Sequence, residues 1–560
     1  MSHNNASQTP AFSRVTGAPR SDDLAALRAL AADLTAAGFN HARIEEALGE
    51  RAMAALGREY PVAARRAVAL LELDAAAHPL AALVRLFLLA EELPSQRVEL
   101  AFPRLSTQGA LDLGLVEPSP ATPEAVRAAV DLRPHASDAD AELWVASDLG
   151  ALQRPGVLRH DHVLGIGQAS LTLAAATIRR PAARALDVGV GCGIQTFHLL
   201  AHCDHVTATD LSERALAFTR FNLALNADAL GLNAEALEER VRLLQGSLLE
   251  PVSGEEFDLV VSNPPFVITP RRAGESEDER FTYRDGGMPG DTLVASLWRD
   301  FASVLAPGGT VQMLANWEIP EALVPDDAVA SDPVSGTEVP GWAGRPASWT
   351  PEGVEAWVIQ RDVESPEGYA ETWLRDASEM RDRAAGEARY AQYLDDFASR
   401  DVGGVGLGLV WLRRTAPGAP AGVGRRFESI EHPISQPVGP TLGEAVWRLD
   451  AVASAEIELV HAVVPEDVTV ETHSRPGDEH PQAILLRQGA GLRRVKMLST
   501  AEAGLVSACD GELPLGSIAR AVCALLEASA PGTGPSPEDL LSEARDLLAQ
   551  GFLRFLAPGE

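Results

Sequence analysis

The stretch ALDVGVGCG, residues 185–193, joins an apolar strand to three closely spaced glycines. The next residues, IQTFHLLAHC (194–203), fit a helix. Glycines at a turn between a strand and a helix let a ligand approach the backbone near the positive end of the helix. A dinucleotide site would show the spacing G-x-G-x-x-G. The spacing here is G-x-G-x-G, and Asp187 inside the strand would repel a pyrophosphate, so the pattern favours a ligand with a cationic part over NAD.

Outward from this turn, apolar strands alternate with amphipathic helices over residues 160–316. Alternation of this kind predicts a parallel sheet with helices on both faces. Two later apolar segments, VEAWVIQRD (354–362) and VGLGLVWLRR (405–414), are predicted to be a closing pair of strands at one edge of the sheet. The expected fold is therefore α/β and Rossmann-like, with seven strands.

Polar or ligand-sized side chains follow the ends of the other strands in this region. Open α/β sheets bind ligands at the carboxyl ends of their strands, so we expect these residues to share one site. A carboxylate at the end of HVTATD (205–210) can accept both hydroxyls of a ribose. An adenine could lie against the leucine that follows the third strand. The residues concerned are Asp210 with Leu211, then Ser247 with Leu248, and finally Asn263-Pro-Pro-Phe266.

The segment VVSNPPFVIT (260–269) ends an apolar strand with one amide, two prolines and an aromatic ring. Proline cannot donate to a β-ladder, so the strand must end at Ser262 or Asn263. The turn would then hold the Asn263 side-chain oxygen, the Pro264 carbonyl oxygen and the Phe266 ring in fixed positions. A rigid turn without a chemical role is the alternative interpretation.

Taken together, LDVGVGCG, TATD, QGS and VVSNPPF resemble the class I S-adenosylmethionine-dependent methyltransferases. Within that family the NPPF motif resembles the HemK/PrmC-type protein-glutamine N-methyltransferases and the enzymes that methylate guanine N2 or adenine N6. The resemblance covers residues 160–316 and implies S-adenosylmethionine as the cofactor. It also implies the residues that bind the cofactor, which are Asp187, Gly189, Gly191 and Gly193 at its methionine part, Asp210 and Leu211 at the ribose, Ser247 and Leu248 at the adenine, and Asn263.

The same resemblance implies that Asn263, Pro264 and Phe266 act on the methyl acceptor. An amide nitrogen is a poor nucleophile because its lone pair is delocalised. Two oxygen acceptors that each take one N–H would orient it toward the methyl group, so that positioning supplies most of the catalysis. The segment YRDGGMPGD (283–291) resembles the one that follows the motif in glutamine methyltransferases, whereas the acidic GESEDER (274–280) departs from their pattern.

The first expectation for the acceptor is a protein glutamine side chain, with a translation factor as the partner. An RNA or DNA base is the alternative, and a non-catalytic cofactor-binding docking protein is an alternative of another class. The net charge of −32 argues against broad binding to phosphates, although it leaves room for one local basic groove.

A chain of 560 residues is too long for one core. We predict a disordered leader over 1–20 and a mainly helical, winged-helix-like recognition domain over 21–155. The methyltransferase domain should span 156–416, and a small α+β, winged-helix-like accessory domain should span 417–560.

The four cysteines form neither a CxxC pair nor a disulfide framework, which is typical of a reducing cytoplasm and predicts no metal site. No apolar run reaches the roughly 18 residues that a membrane-spanning helix needs, so no membrane partner is expected.

Overall fold

The structure is a computed structural model. It describes residues 11–58, 60–136, 142–150, 153–154, 159–270, 287–376, 383–419, 421–477, 481–529, 532 and 534–556. The described residues fall into two compact units. The first lies within 1–174, 180–351 and 363–407, and the second within 175–179, 352–362 and 408–560.

The first part of the chain is mainly helical and carries two small antiparallel sheets. One has the strand order β1-β3-β2, and the other is the hairpin β4–β5, in which Asp131 lies opposite Ser147. The elements are α1 (Leu24–Ala37), α2 (His41–Leu48), α3 (Glu50–Gly57), α4 (Val62–Leu71), α5 (His78–Leu83), β1 (Leu93–Pro94), α6 (Ser95–Ala101), α7 (Ser106–Asp112), β2 (Val116–Pro118), β3 (Ala125–Ala128), β4 (Asp131–Ala136) and β5 (Glu142–Ser147).

Residues 11–20, which were predicted to belong to a disordered leader, pack on the first unit. Phe12 contacts a buried apolar cluster that includes Val190, and Arg214 donates from Nε and Nη2 to the Gly17 carbonyl oxygen at 3.0 and 2.6 Å. The prediction of disorder is wrong for these residues because the buried Arg214 guanidinium needs acceptors, and this segment supplies one. Residues 1–10 lie outside the described residues.

The central part alternates strands with helices, as predicted. Its elements are α8 (Gln168–Ala176), β6 (Ala182–Val188), α9 (Ile194–Leu200), β7 (Cys203–Asp210), α10 (Glu213–Leu225), β8 (Val241–Gln245), β9 (Phe257–Ser262), α11 (Thr292–Asp300), β10 (Leu305–Pro320), β11 (Val329–Ser331), β12 (Glu338–Pro340), α12 (Gly344–Trp349), β13 (Val354–Glu364), α13 (Pro366–Asp376), α14 (Arg383–Ser399) and β14 (Val402–Arg414).

The strands that lie wholly in the first unit and form the central sheet follow the order β10-β9-β6-β7-β8. The five strands from β10 to β8 are all parallel to their neighbours, which confirms the α/β, Rossmann-like fold. Because the chain adds β7 and β8 on one side of β6 and then β9 and β10 on the other, the strand order reverses between β6 and β9. Ligands bind at such a switch point in open α/β sheets.

The predicted boundary between residues 155 and 156 falls inside the first unit. One buried apolar cluster includes Leu30 of α1, Phe87, Phe197 of α9 and Phe221 of α10. The helical region and the central sheet therefore share a hydrophobic core.

In the second unit β13 lies between β14 and a further strand, β15, with which it pairs in parallel. The strand β15 lies beyond the predicted domain 156–416 and was not predicted, because its sequence RRFES is too polar to be recognised as part of a sheet. The remaining elements are β15 (Arg425–Ser429), α15 (Gly439–Ser454), β16 (His461–Val463), β17 (Val468–His473), β18 (Ala483–Gln488), β19 (Val495–Leu498), α16 (Thr500–Ser507), β20 (Asp510–Pro514), α17 (Leu515–Ser529), α18 (Pro537–Gln550) and β21 (Arg554–Phe555).

Two small antiparallel sheets, with the strand orders β20-β16-β21 and β17-β18-β19, belong to this second unit. The helices α16 and α18 each begin with a complete capping box, formed by Ser499 with Glu502 and by Ser536 with Asp539. Across the described parts of the chain, every helix is too short or too polar to cross a lipid bilayer.

Candidate active site

The hairpin β4–β5 is attached to α10 by two asparagine side chains. The Asn222 amide accepts from the Ala146 backbone N–H at 2.8 Å and donates to the Ala146 carbonyl oxygen at 2.9 Å. The Asn226 amide makes the same pair of bonds with Trp144, at 2.8 and 2.7 Å. Side chains four residues apart share one helix face, and alternate strand residues share one edge, so the two spacings match. Each amide thus replaces a neighbouring strand and fixes the hairpin beside the sheet.

The glycine segment and the NPPF motif begin side by side at the switch point. Val188, the last residue of β6, pairs with Ser262, the last residue of β9, and the Ser262 hydroxyl donates to the Val188 carbonyl oxygen at 2.9 Å. The two motifs are 74 residues apart in the chain. The parallel register brings them together at one edge of the sheet.

The glycine segment is shaped for close approach to its backbone. Gly189 and Gly191 have φ values of +77° and +56°, and a Cβ atom at either would have no atom within 4 Å. Both positions need glycine for their conformation, and both face open space. Gly193, at φ +100°, serves a different purpose, because a Cβ there would lie 3.2 Å from the Phe197 ring.

A cavity of about 860 Å³ lies in front of these segments. Its walls come from the hairpin, the segment 162–170, the glycine segment and the ends of β7, β8 and β9. Ligand pockets usually have roughly 300–1,000 Å³, so a nucleoside with an amino-acid tail fits. The predicted site residues that line the cavity are Gly189, Gly191, Asp210, Leu211, Ser247, Leu248, Asn263 and Pro264.

Three predicted residues, Asp187, Gly193 and Phe266, are not among those that line the cavity. Asp187 lies below the glycine segment, where its Oδ2 accepts from the Thr196 hydroxyl at 2.7 Å. Its Oδ1 is buried and has no hydrogen-bond partner among the described residues. Burial raises the pKa of Asp187 to about 7. This carboxyl group is therefore a protonatable group beneath the cavity floor.

The Asp210 carboxylate is held by backbone amides at the mouth of the turn. Its Oδ2 accepts from the Gly191 N–H at 3.0 Å, and its Oδ1 accepts from the Ser212 N–H at 2.8 Å. Burial raises the pKa of this carboxyl group, against the effect of these bonds. A carboxylate has about four lone-pair sites, so both oxygens can also accept from the hydroxyls of a ribose.

The NPPF segment is fixed from behind. The Asn316 side chain on β10 donates to the Phe266 carbonyl oxygen at 2.8 Å and to the Tyr369 hydroxyl at 2.9 Å. The Ile268 N–H also donates to this hydroxyl, at 2.9 Å, and the Phe266 ring meets the Trp373 ring edge-on at 6.4 Å. Asn263 Oδ1, by contrast, is buried and without a hydrogen-bond partner in the described part of the chain.

The cavity also contains residues from a region in which the sequence shows no catalytic cluster. Asp131, Arg133 and Ser147 of the hairpin line it, together with the buried His162. The local signal for these residues is weak: Asp131 and Arg133 are two positions apart and so share one face of a strand. In the helix α8, Ser170 lines the cavity, whereas Gln168, the first residue of the helix, is outside its lining. The acidic segment 274–280 lies outside the described residues, and Gly287 of the glycine pair that follows it reaches the cavity.

Comparison with known families identifies two segments. Residues 149–277 match the family model described as "Methyltransferase small domain", and residues 36–129 match "Domain of unknown function (DUF7059)". The segment 36–129 belongs to the first unit, and so does 149–277 apart from residues 175–179.

Three relatives cover this central region. A release factor glutamine methyltransferase of Deinococcus radiodurans is 38% identical over 133 residues, which are 23% of this chain and 44% of the relative. A ribosomal protein uL3 glutamine methyltransferase of Bradyrhizobium diazoefficiens is 30% identical over 161 residues, covering 28% and 46%. A ribosomal RNA small subunit methyltransferase C of Alcanivorax borkumensis is 29% identical over 184 residues, covering 32% and 47%.

The chain therefore spans about half the length of the curated relatives it matches. For this central region the matches confirm the predicted resemblance to the HemK/PrmC-type methyltransferases. They also confirm S-adenosylmethionine as the cofactor of the domain.

Proposed function

We propose that this chain is an S-adenosylmethionine-dependent N-methyltransferase that acts on the side-chain amide of a protein glutamine. The observation that carries the proposal is the buried Oδ1 of Asn263, which has no donor among the described residues and belongs to a residue that lines the same cavity as the glycine segment. Leaving a buried acceptor unpaired costs about 1–3 kcal/mol, so a ligand that brings an N–H is favoured there. The relatives named as glutamine methyltransferases support an amide as that ligand.

The residues of the chain would act mainly by positioning. When bound, S-adenosylmethionine supplies an electrophilic methyl group on a sulfonium sulfur. Asn263 Oδ1 and the Pro264 carbonyl oxygen each accept one N–H of the glutamine amide and turn its nitrogen toward that methyl group. Phe266 stacks on the planar amide. The bonds from Asn316 to the Phe266 carbonyl oxygen and to Tyr369 keep this turn rigid while the acceptor exchanges.

The cofactor would bind along the remaining walls of the cavity. Gly189 and Gly191 leave room for its amino-acid part, Asp210 and Leu211 border the ribose, and Ser247 and Leu248 border the adenine. The open space in front of the two glycines and the free lone pairs of Asp210 support this assignment.

The flanking regions would recognise the acceptor protein, for which we propose a translation factor in the cytoplasm. In the C-terminal region, the helices α16, α17 and α18 with the sheet β20-β16-β21 support a winged-helix-like arrangement. The buried thiols of all four cysteines fit a reducing compartment.

Transfer of labelled methyl groups tests the proposal. Purified protein is incubated with tritium-labelled S-adenosylmethionine and a cell extract, and the products are digested with protease or with nuclease. Asn263→Ala serves as the matched control, because it removes one side-chain amide from the same folded protein. We expect label that protease releases, nuclease spares and Asn263→Ala abolishes, with mass spectrometry placing one added methyl group on glutamine. Label that nuclease releases would replace the proposed acceptor by a nucleic-acid base.

A further inference from the structure

Asp131 is a buried carboxylate with one oxygen in use and one to spare. The residue is 6% exposed, and its Oδ2 accepts from Arg133 Nε at 2.7 Å. Its Oδ1 is fully buried and has no hydrogen-bond partner among the residues that the structure describes. Burial raises the pKa of this carboxyl group, against the influence of Arg133 and of the nearby Gln153 side chain. A buried carboxylate oxygen without a donor is costly, which points to a ligand that brings one.

The position of Asp131 identifies which part of the ligand it meets. The strand β4 runs beside α9, since His135 Nε2 lies 3.2 Å from His198 Nε2. The Asn222 amide, which binds Ala146, also donates to the Cys192 carbonyl oxygen in the glycine segment at 2.9 Å, and Ala146 pairs with Leu132, the neighbour of Asp131. Asp131 therefore lies at the glycine segment, at the opposite end of β4 from the strand's last residue, Ala136.

The other carboxylates of the cavity wall, Asp148 and Asp210, have a hydrogen-bond partner on each oxygen. Asp148 forms an ion pair with the buried Arg214, with contacts of 2.9 and 2.6 Å, and also accepts from the Val163 N–H. Asp210 is held by two backbone amides near the ends of β7 and β8. Asp187 is outside the cavity lining. Asp131 is thus the carboxylate best placed to take a new cationic donor in front of the glycine segment.

We infer that Asp131 binds the α-ammonium group of the cofactor's methionine part, and that Arg133 faces the α-carboxylate of the same group. This assignment rests on the proposed function, because it takes S-adenosylmethionine as the ligand. An amino-acid zwitterion presents three N–H donors and two carboxylate oxygens, and the Asp131–Arg133 pair presents the complementary charges. The pair comes from the hairpin that precedes the family match at 149–277, so the cofactor site extends beyond that matched segment.

The inference is tested by comparing two nucleosides in calorimetry. S-adenosylhomocysteine carries the amino-acid part, whereas 5′-methylthioadenosine keeps the adenine, ribose and thioether but lacks it. Asp131→Asn should weaken S-adenosylhomocysteine binding by roughly ten- to a hundredfold, the range for a charged hydrogen bond, and should leave 5′-methylthioadenosine binding unchanged. Glu117→Gln is the matched control, since Glu117 also pairs with arginines in the N-terminal region but does not line the cavity.

Binding of 5′-methylthioadenosine also shows that a variant is folded. If Asp131→Asn does not fold, Arg133→Gln tests the inference instead, because Arg133 is partly exposed. This variant should bind S-adenosylhomocysteine about two- to fivefold more weakly and 5′-methylthioadenosine as tightly as the wild type. Unchanged S-adenosylhomocysteine affinity, or an equal loss for both nucleosides, overturns the inference and leaves the proposed function standing. Wild-type protein that binds neither nucleoside overturns the proposed function together with the inference.

Discussion

Asp210 and Asn263, at opposite ends of the cavity, differ in how their side-chain oxygens are hydrogen-bonded. At the cofactor end, both oxygens of Asp210 already accept backbone N–H groups, from Gly191 and Ser212. At the acceptor end, Asn263 Oδ1 is buried and lacks a hydrogen-bond partner within the described residues, although the rest of its turn is firmly held by Asn316 and Tyr369. The Asp210 oxygens are therefore satisfied without a ligand, whereas the Asn263 oxygen, like Oδ1 of Asp131, is completed by one.

Because of this difference, substitutions at the two residues should have different effects on the folded structure and on methyl transfer. Changing Asp210 alters the turn as well as the ligand contacts, since two backbone amides lose their acceptor. Changing Asn263 removes an oxygen that accepts no hydrogen bond from the described residues of the ligand-free protein. The same kind of substitution should then affect binding at one end and turnover at the other, and the following experiments test that distinction.

The largest effect is expected for Asn263→Ala. Turnover should fall by about 10² or more, the cost of losing one preorganised hydrogen-bonding group at a reacting centre. The affinity for S-adenosylhomocysteine should stay as in the wild type and the melting temperature should not fall, because the free protein loses no bond to this oxygen. Single-turnover methyl transfer measures the first quantity and calorimetry the second. Full turnover by the folded variant would show that the NPPF motif is a rigid turn without a chemical role.

Asp210→Ala should act on binding. Loss of a charged acceptor weakens S-adenosylhomocysteine binding by about 1.5–3 kcal/mol, or roughly ten- to a hundredfold. Asp210→Asn is the matched control, because it keeps one acceptor oxygen for the backbone amides and should lose less. Calorimetry on both variants checks the order. Equal affinity in the wild type and a folded Asp210→Ala protein would show that Asp210 does not bind the ligand.

Asp187 should respond to pH rather than to the acceptor. Its pKa in the folded protein is about 7, against 3.8 for an ordinary aspartate, so the folded state holds a proton that the unfolded chain releases. That stabilisation is complete below about pH 4 and is lost as the pH rises through 7. The wild type should therefore lose stability relative to Asp187→Asn, by more than about 1 kcal/mol, across this interval. Melting curves of the two ligand-free proteins, recorded at a series of pH values, measure this difference. A stability difference that does not change with pH would show that Asp187 stays ionised in the folded protein.

Phe266 should give the smallest effect and should confine it to the acceptor. Phe266→Ala should raise the acceptor KM by about two- to tenfold, the equivalent of one aromatic contact, while Phe266→Tyr should retain wild-type values. Steady-state kinetics with varied acceptor and saturating cofactor measures both. A change in cofactor affinity for Phe266→Ala would show that this ring acts on the cofactor and not on the acceptor.

The sequence predicts the parts of the site that are local in the chain. The glycine turn and the NPPF turn are each encoded by a segment of no more than ten residues. The alternation of strands and helices is sufficient to predict that both turns lie at one edge of a parallel sheet. The placement of Asp131 depends on two asparagines of α10 that bind Trp144 and Ala146, and those asparagines are 82 and 76 residues away from these partners, respectively. No periodicity within β4 or α10 encodes that pairing. The packing of residues 11–20 on Arg214 escaped prediction for the same reason.

The asparagine bridge between α10 and the hairpin also bears on how such a protein can evolve. The two family matches, at 36–129 and 149–277, suggest modules that could be exchanged independently. The bridge opposes this exchange: a new partner for the catalytic segment would leave Asn222 and Asn226 facing a strand edge that no longer fits, and the cavity would lose one wall. The hairpin between the two matches is therefore expected to be inherited together with the catalytic segment, and lineages that shuffle the helical region should keep residues 131–147 joined to it.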